Sequence, residues 1–115
     1  MHKPTGKPVA CRLAKLLERK RMTAQNAVLM SGITPMRGRR IFSGECAPQR
    51  DELIRISIGM ALDASEANEL MAAAGLERLD PSRGRDALIA QGLDSGRSLQ
   101  RTNEELARLG EDAVR

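Results

Sequence analysis

Two neighbouring arginines, Arg39 and Arg40, sit in the second half of the stretch TAQNAVLMSGITPMRGRRIFSG, residues 23–44. On a helix begun at Pro35, the residues Pro35, Met36, Arg39, Arg40 and Ser43 recur at i, i+1, i+4, i+5 and i+8, which is a single face. Arginine forks onto guanine O6 and N7 or onto a phosphate, so such a face is equipped for a DNA major groove. Pro35 and Met36 would add apolar contacts, for instance to a thymine methyl. The same spacing also suits a solvated basic face on an ordinary helical protein.

Other chemistry finds little support. The only histidine, His2, lies in the N-terminal stretch MHKPTGKP, and there is no glycine-rich phosphate loop. Cys11 and Cys46 lack metal-ligand spacing, so free thiols are expected and neither a metal nor a cofactor. Asp51 with Glu52, and Glu104 with Glu105, are adjacent along helices and point in different directions, which excludes them as catalytic carboxylate pairs. An enzyme is therefore not expected.

The flanking residues explain how the arginine face would be held. Thr23 can cap a short helix that closes at Ser31-Gly32. Thr34 followed by Pro35 is a strong start signal, because proline's missing N–H would be unpaired at that position anyway. Ser43-Gly44 stops the second helix. A turn of only a few residues forces a steep crossing, the geometry of a helix-turn-helix. Val28, Ile33, Ile41 and Phe42 fall where the core must be filled.

The segment LAKLLERKRMTAQNAVLMSGITPMRGRRIFSGECAPQRDELIRISIGMAL resembles the Cro/C1-type, or XRE-family, DNA-binding domain. Its landmarks are Thr23, Gly32, Arg40-Ile41, Gly44 and Pro48, and the core resemblance spans roughly residues 9–76. It implies an all-α fold: a five-helix lambda repressor-like domain, here followed by a C-terminal two-helix hairpin over 77–115. It also implies a bacterial or phage origin. Three positions depart from the family pattern. Ala24 stands where glutamine is usual, with Gln25 one residue later; Pro35 replaces a polar base reader; Gly38 replaces a branched apolar residue. Base contacts are expected from Pro35, Met36, Arg39 and Arg40. Phosphate contacts are expected from Thr23, Gln25, Thr34, Arg37, Ser43, Gln49 and Arg50, several of them at helix N-termini where free amides favour an anion.

Composition agrees with this reading. The chain has 115 residues, long enough for a core without disulfides, and one aromatic residue in all, Phe42. Leu, Ile, Val, Met and Ala must build the interior, which favours helices. A single aromatic also weighs against RNA and single-strand modules, whose bases stack on aromatic platforms. The net charge of +4 divides into +8 over residues 1–60 and −4 over 61–115. The positive half is the one that carries the arginine face. No apolar run marks a leader or a membrane span, so a cytoplasmic protein with no membrane partner is expected.

Along the rest of the chain, residues 1–8 read as a disordered basic arm. Helices are expected over 9–21, with Leu13, Leu16 and Leu17 as the stripe, over 49–62 and over 63–75, the last opened by the capping box Asp63-Ala64-Ser65-Glu66. Two more follow over 83–93 and 98–109, and the last five residues should fray. A shift of 35 residues lays Arg50-Asp51-x-Leu53-Ile54 on Arg85-Asp86-x-Leu88-Ile89, Asn68-Glu69 on Asn103-Glu104, Ala72 on Ala107 and Gly75 on Gly110, eight identities in 26 ungapped pairs. The last two helices read as a degenerate copy of the preceding hairpin, which would stack on the first copy or on a partner chain. General likeness of amphipathic helices would account for part of the match.

Together these features predict sequence-specific double-stranded DNA binding by a transcriptional regulator. A homodimer would meet two half-sites about one helical turn apart. The alternative is a protein-interaction or antitoxin-like adaptor that keeps the fold without reading DNA and binds its partner through the acidic C-terminal half. Ala24, Pro35 and Gly38 favour that alternative.

Overall fold

Every amphipathic segment folds as a helix in the computed structural model, which describes residues 6–115. The order is α1 (Lys7–Lys20), α2 (Ala24–Ser31), α3 (Pro35–Ser43), α4 (Arg50–Gly59), α5 (Ala64–Ala73), α6 (Gly84–Asp94) and α7 (Leu99–Arg108), with no strand among the described residues. The protein is all-α. Of the N-terminal arm expected over 1–8, residues 1–5 lie outside the described residues. Gly6 caps α1, and Lys7 and Pro8 are already helical, because proline is tolerated in a first turn.

Caps fix the other boundaries. Thr23 Oγ1 accepts the Asn26 amide, Asp63 the Glu66 amide and Ser98 the Arg101 amide. Glycines in the left-handed region end α2 and α3, Gly32 at φ 69° and Gly44 at φ 84°. α4 stops earlier than its apolar stripe suggests. Met60 caps it, and Ala61 turns left-handed at φ 55° and is exposed. The Ala61 amide donates to the Ile58 carbonyl and the Leu62 amide to the Ser57 carbonyl, which closes the helix around the left-handed residue. α2 crosses this end of α4 closely, since a methyl group on Gly59 would come within 2.8 Å of the Ser31 amide nitrogen.

One core joins all seven helices. Leu13 and Leu16 of α1, Ala27 of α2, Ile41 of α3, Leu53, Ile54 and Ile56 of α4, and Leu70 and Met71 of α5 are buried in it. So are Ile89 of α6 and Leu106 of α7.

The repeat seen in the sequence reappears as hydrogen bonds at the same offset. Arg50 donates from Nε to the Glu77 carbonyl (3.0 Å) and from Nη2 to the Arg78 carbonyl (3.1 Å). Arg85 does the same to the carbonyls of Asp112 (2.9 Å) and Ala113 (3.0 Å). Asn68 Oδ1 accepts the Leu79 amide and Asn103 Oδ1 the Val114 amide, both at 2.8 Å. Each hairpin is thus followed by an extended strap with one buried apolar plug, Leu79 or Val114. The copies then grip each other reciprocally. Arg50 pairs with Asp86 and Arg85 with Asp51, both at 2.9 Å, while Asp86 accepts the Asp80 amide and Asp51 the Arg115 amide. Contacts that exchange in this way are those of a two-fold relation, closed on itself. The C-terminal hairpin stacks on the first, and the final residues are docked by Val114 and Asn103 rather than frayed.

Candidate nucleic-acid interface

α3 is only nine residues long, so its direction depends on what grips it. Thr34 Oγ1 accepts the Arg37 amide at 3.3 Å and Pro35 sets the first turn. On the inward side Ile41 is fully buried and Phe42 packs against the core. Gly38 faces Val28 of α2, and a methyl there would reach within 3.0 Å of Val28 Cβ and run into both Val28 methyls. The missing side chain lets the two helices approach closely, which answers why a glycine sits inside a short helix at a propensity cost of ~1 kcal/mol.

A charged clamp holds the flank. Arg37 donates from Nε to Glu52 Oε2 at 2.7 Å and from Nη2 to Glu52 Oε1 at 2.8 Å, the bidentate fork that suits guanidinium and carboxylate. Its Nη1 meets Cys46 Sγ at 3.1 Å, and Nη2 also reaches the Ala47 carbonyl at 3.3 Å. Glu52 Oε1 further accepts the Gln49 amide at 2.8 Å. Hydrogen bonding to Glu52 drives the Arg37 pKa above its ordinary value, and the same bond holds the Glu52 carboxyl below its own. Arg37 therefore ties α3 to α4.

Three members of the expected phosphate set have partners within the chain. Arg37 is engaged by Glu52, and Arg50 by Asp86 and the strap carbonyls of Glu77 and Arg78. The Gln49 amide is taken by Glu52, so the N-terminus of α4 already has its own carboxylate. Burial acts to raise the Asp86 carboxyl, but Arg50 and the Asp80 amide outweigh it and keep it below the usual range.

Outward, the arrangement follows the sequence. Pro35, Met36, Arg39, Arg40 and Ser43 are all exposed, while Gly38 and Ile41, between them in sequence, are buried. Neither Arg39 nor Arg40 pairs with a carboxylate among the described residues, in contrast to Arg12, Arg19, Lys20, Arg37 and Arg50. Ser43 Oγ turns back to the Arg40 carbonyl at 3.2 Å. Thr23, Gln25, Thr34 and Gln49 are exposed at helix starts. Lys7 was not anticipated; its Cα would lie 3.4 Å from a methyl on Gly44, so the first turn of α1 meets the end of α3. Sequence spacing gave no sign of that long-range contact.

An all-helical protein that presents an uncommitted pair of arginines on a short helix is the class these observations define. Compared with protein-family models, curated proteins and solved structures, the chain gives no match. No helix among the described residues is long and apolar enough to cross a membrane.

Proposed function

We propose that this chain binds double-stranded DNA as a sequence-specific transcriptional regulator in the cytoplasm, with α2 and α3 acting as a helix-turn-helix and α3 entering the major groove. In this reading α1–α5 are a Cro/C1-like domain and α6–α7 its C-terminal addition. The observation that carries the proposal is the outward face of α3. Five consecutive face positions are exposed, and neither guanidinium there is paired among the described residues, whereas Arg37 of the same helix is tied to Glu52. Arg39 and Arg40 reach guanine or phosphate. Thr23, Gln25 and Thr34 meet phosphates at the starts of α2 and α3. Arg37 and Arg50 position elements instead of touching DNA. One such helix reads only a few base pairs, so two copies of the chain on two half-sites complete the arrangement.

Selection of duplexes from a random DNA pool at stated salt, followed by affinity measurements from 50 to 200 mM salt, tests this directly. The expected result is a recovered consensus and a log–log slope of about −0.9 per neutralised phosphate. A flat salt dependence would refute it.

A second reading has one observation in its favour. Leu29 and Met30 are 75% and 65% exposed on α2, more apolar surface than a phosphate-facing helix requires. An adaptor that binds another protein there would co-purify with a stoichiometric partner and shift no DNA.

A further inference from the structure

The exposed face of α3 is divided along its length. Arg39, Arg40 and Ser43 make its C-terminal part polar, whereas its N-terminal part is Pro35 and Met36, the latter 66% exposed. Leu29 and Met30, at the end of α2, bring three of the four exposed large hydrophobics among the described residues to the two sides of the Gly32–Thr34 turn. Nothing at that end of α3 can fork onto a base edge. Proline carries no N–H, and methionine offers only a weak thioether acceptor.

An apolar tip set into a major groove meets a surface of donors and acceptors with one exception, the C5 methyl of thymine. Against a G·C edge, Met36 would strip water from the N4 amino group or from O6 and N7 and return no hydrogen bond, which is costly. Against a thymine methyl it loses nothing and buries apolar area on both sides.

Resting on the DNA-binding reading above, we propose that the N-terminal turn of α3 selects thymine by its methyl group, with Met36 as the specificity-determining residue and Pro35 beside it. Arg40 lies four residues further on, about 6 Å along the axis, so the selected thymine falls within roughly two base pairs of the guanine or phosphate that Arg40 meets. The flanking uncommitted arginines supply the general attraction to the duplex; the apolar turn supplies discrimination at one step.

The test uses the full chain and the tightest duplex recovered from the random pool, resynthesised with deoxyuridine in place of each thymidine in turn. Removing the one methyl that Met36 covers should weaken binding about fourfold, and substitution outside the footprint should have no effect. Met36→Ala, at an exposed position, should keep its thermal melt and bind the thymidine and deoxyuridine duplexes alike. If the unaltered chain binds every deoxyuridine duplex as tightly as the parent, methyl selection is overturned while DNA binding stands. Persistence of the full preference in Met36→Ala overturns the assignment to that residue, with Pro35 or DNA shape left as the cause. A pool that yields no duplex at all overturns this inference together with the reading beneath it.

Discussion

Within four residues of α3, three arginines meet different fates. Arg37 is drawn onto Glu52, whereas Arg39 and Arg40 are exposed and form no salt bridge among the described residues. Their substitutions should therefore separate. Arg39→Ala or Arg40→Ala should weaken a selected duplex by about 1–3 kcal/mol while the thermal melt stays put. Glu52→Ala should lower the melting temperature, because it leaves Arg37 beside the 44–49 loop without its bidentate partner. Equal losses of stability in all three variants would contradict the division. The Glu52 and Asp86 carboxyls are held below their ordinary values. Their contribution is thus present above the unfolded pKa, near 4, and is lost as pH falls below it, so melting temperatures should drop on acidification and drop less in Glu52→Gln. At Gly38 the balance is steric. Gly38→Ala gains helix propensity of ~1 kcal/mol but overpacks against Val28 by about 1–3 kcal/mol, so a net loss is expected. Val28→Ala should remove that penalty, and a double-mutant cycle with no coupling would show that the two side chains do not meet.

Between elements, the two copies of hairpin and strap allow a comparison inside one molecule. Ala61 and Gly96 hold the same place, 35 residues apart, and both are left-handed, at φ 55° and 69°. A Cβ in that region is strained, so Ala61→Gly should stabilise the protein by about 1 kcal/mol, less the entropy that glycine adds to the unfolded chain. An unchanged denaturation midpoint would show that the strain is already relieved. Much of this level was readable beforehand. Caps and stops at Thr23, Gly32, Thr34-Pro35, Gly44, Asp63 and Ser98 are local signals carried by one or two residues, and they placed α2, α3, α5 and α7 to within about two residues. What stayed hidden was long-range. Neither the close approach of Ser31 to Gly59 nor the docking of Val114 on Asn103 is marked by a local signal. The commitment of Arg37 and Arg50 depends on carboxylates 15 and 36 residues away. The Arg-Asp dipeptides at 50–51 and 85–86 did contain the clue, since a repeated pair of opposite charges can satisfy itself by exchange.

For the molecule as a whole, that exchange decides how the halves are coupled. The first turn of α4 carries Arg50 and Asp51, which hold the C-terminal copy, and Glu52, which holds α3. The acidic half and the arginine-bearing half thus meet at three consecutive residues, and the face of α6–α7 with Arg85 and Asp86 is spent within the chain. Two copies sharing an operator would have to meet elsewhere. The radius of gyration, 13.4 Å, matches the roughly 13 Å of a single compact domain of this length. Core residues from Val9 to Val114 form one cluster, so the C-terminal copy should not melt as a separate body. Ile89→Ala in α6 removes a fully buried side chain far in sequence from α3, and should cost about 2–5 kcal/mol. Because the core is shared, that loss should move a single calorimetric transition, and the helix signal and any DNA-binding signal should disappear at the same temperature. Two transitions, with DNA binding surviving the first, would show that the hairpin is a dispensable addition and that the coupling through Arg50, Asp51 and Glu52 transmits nothing to α3.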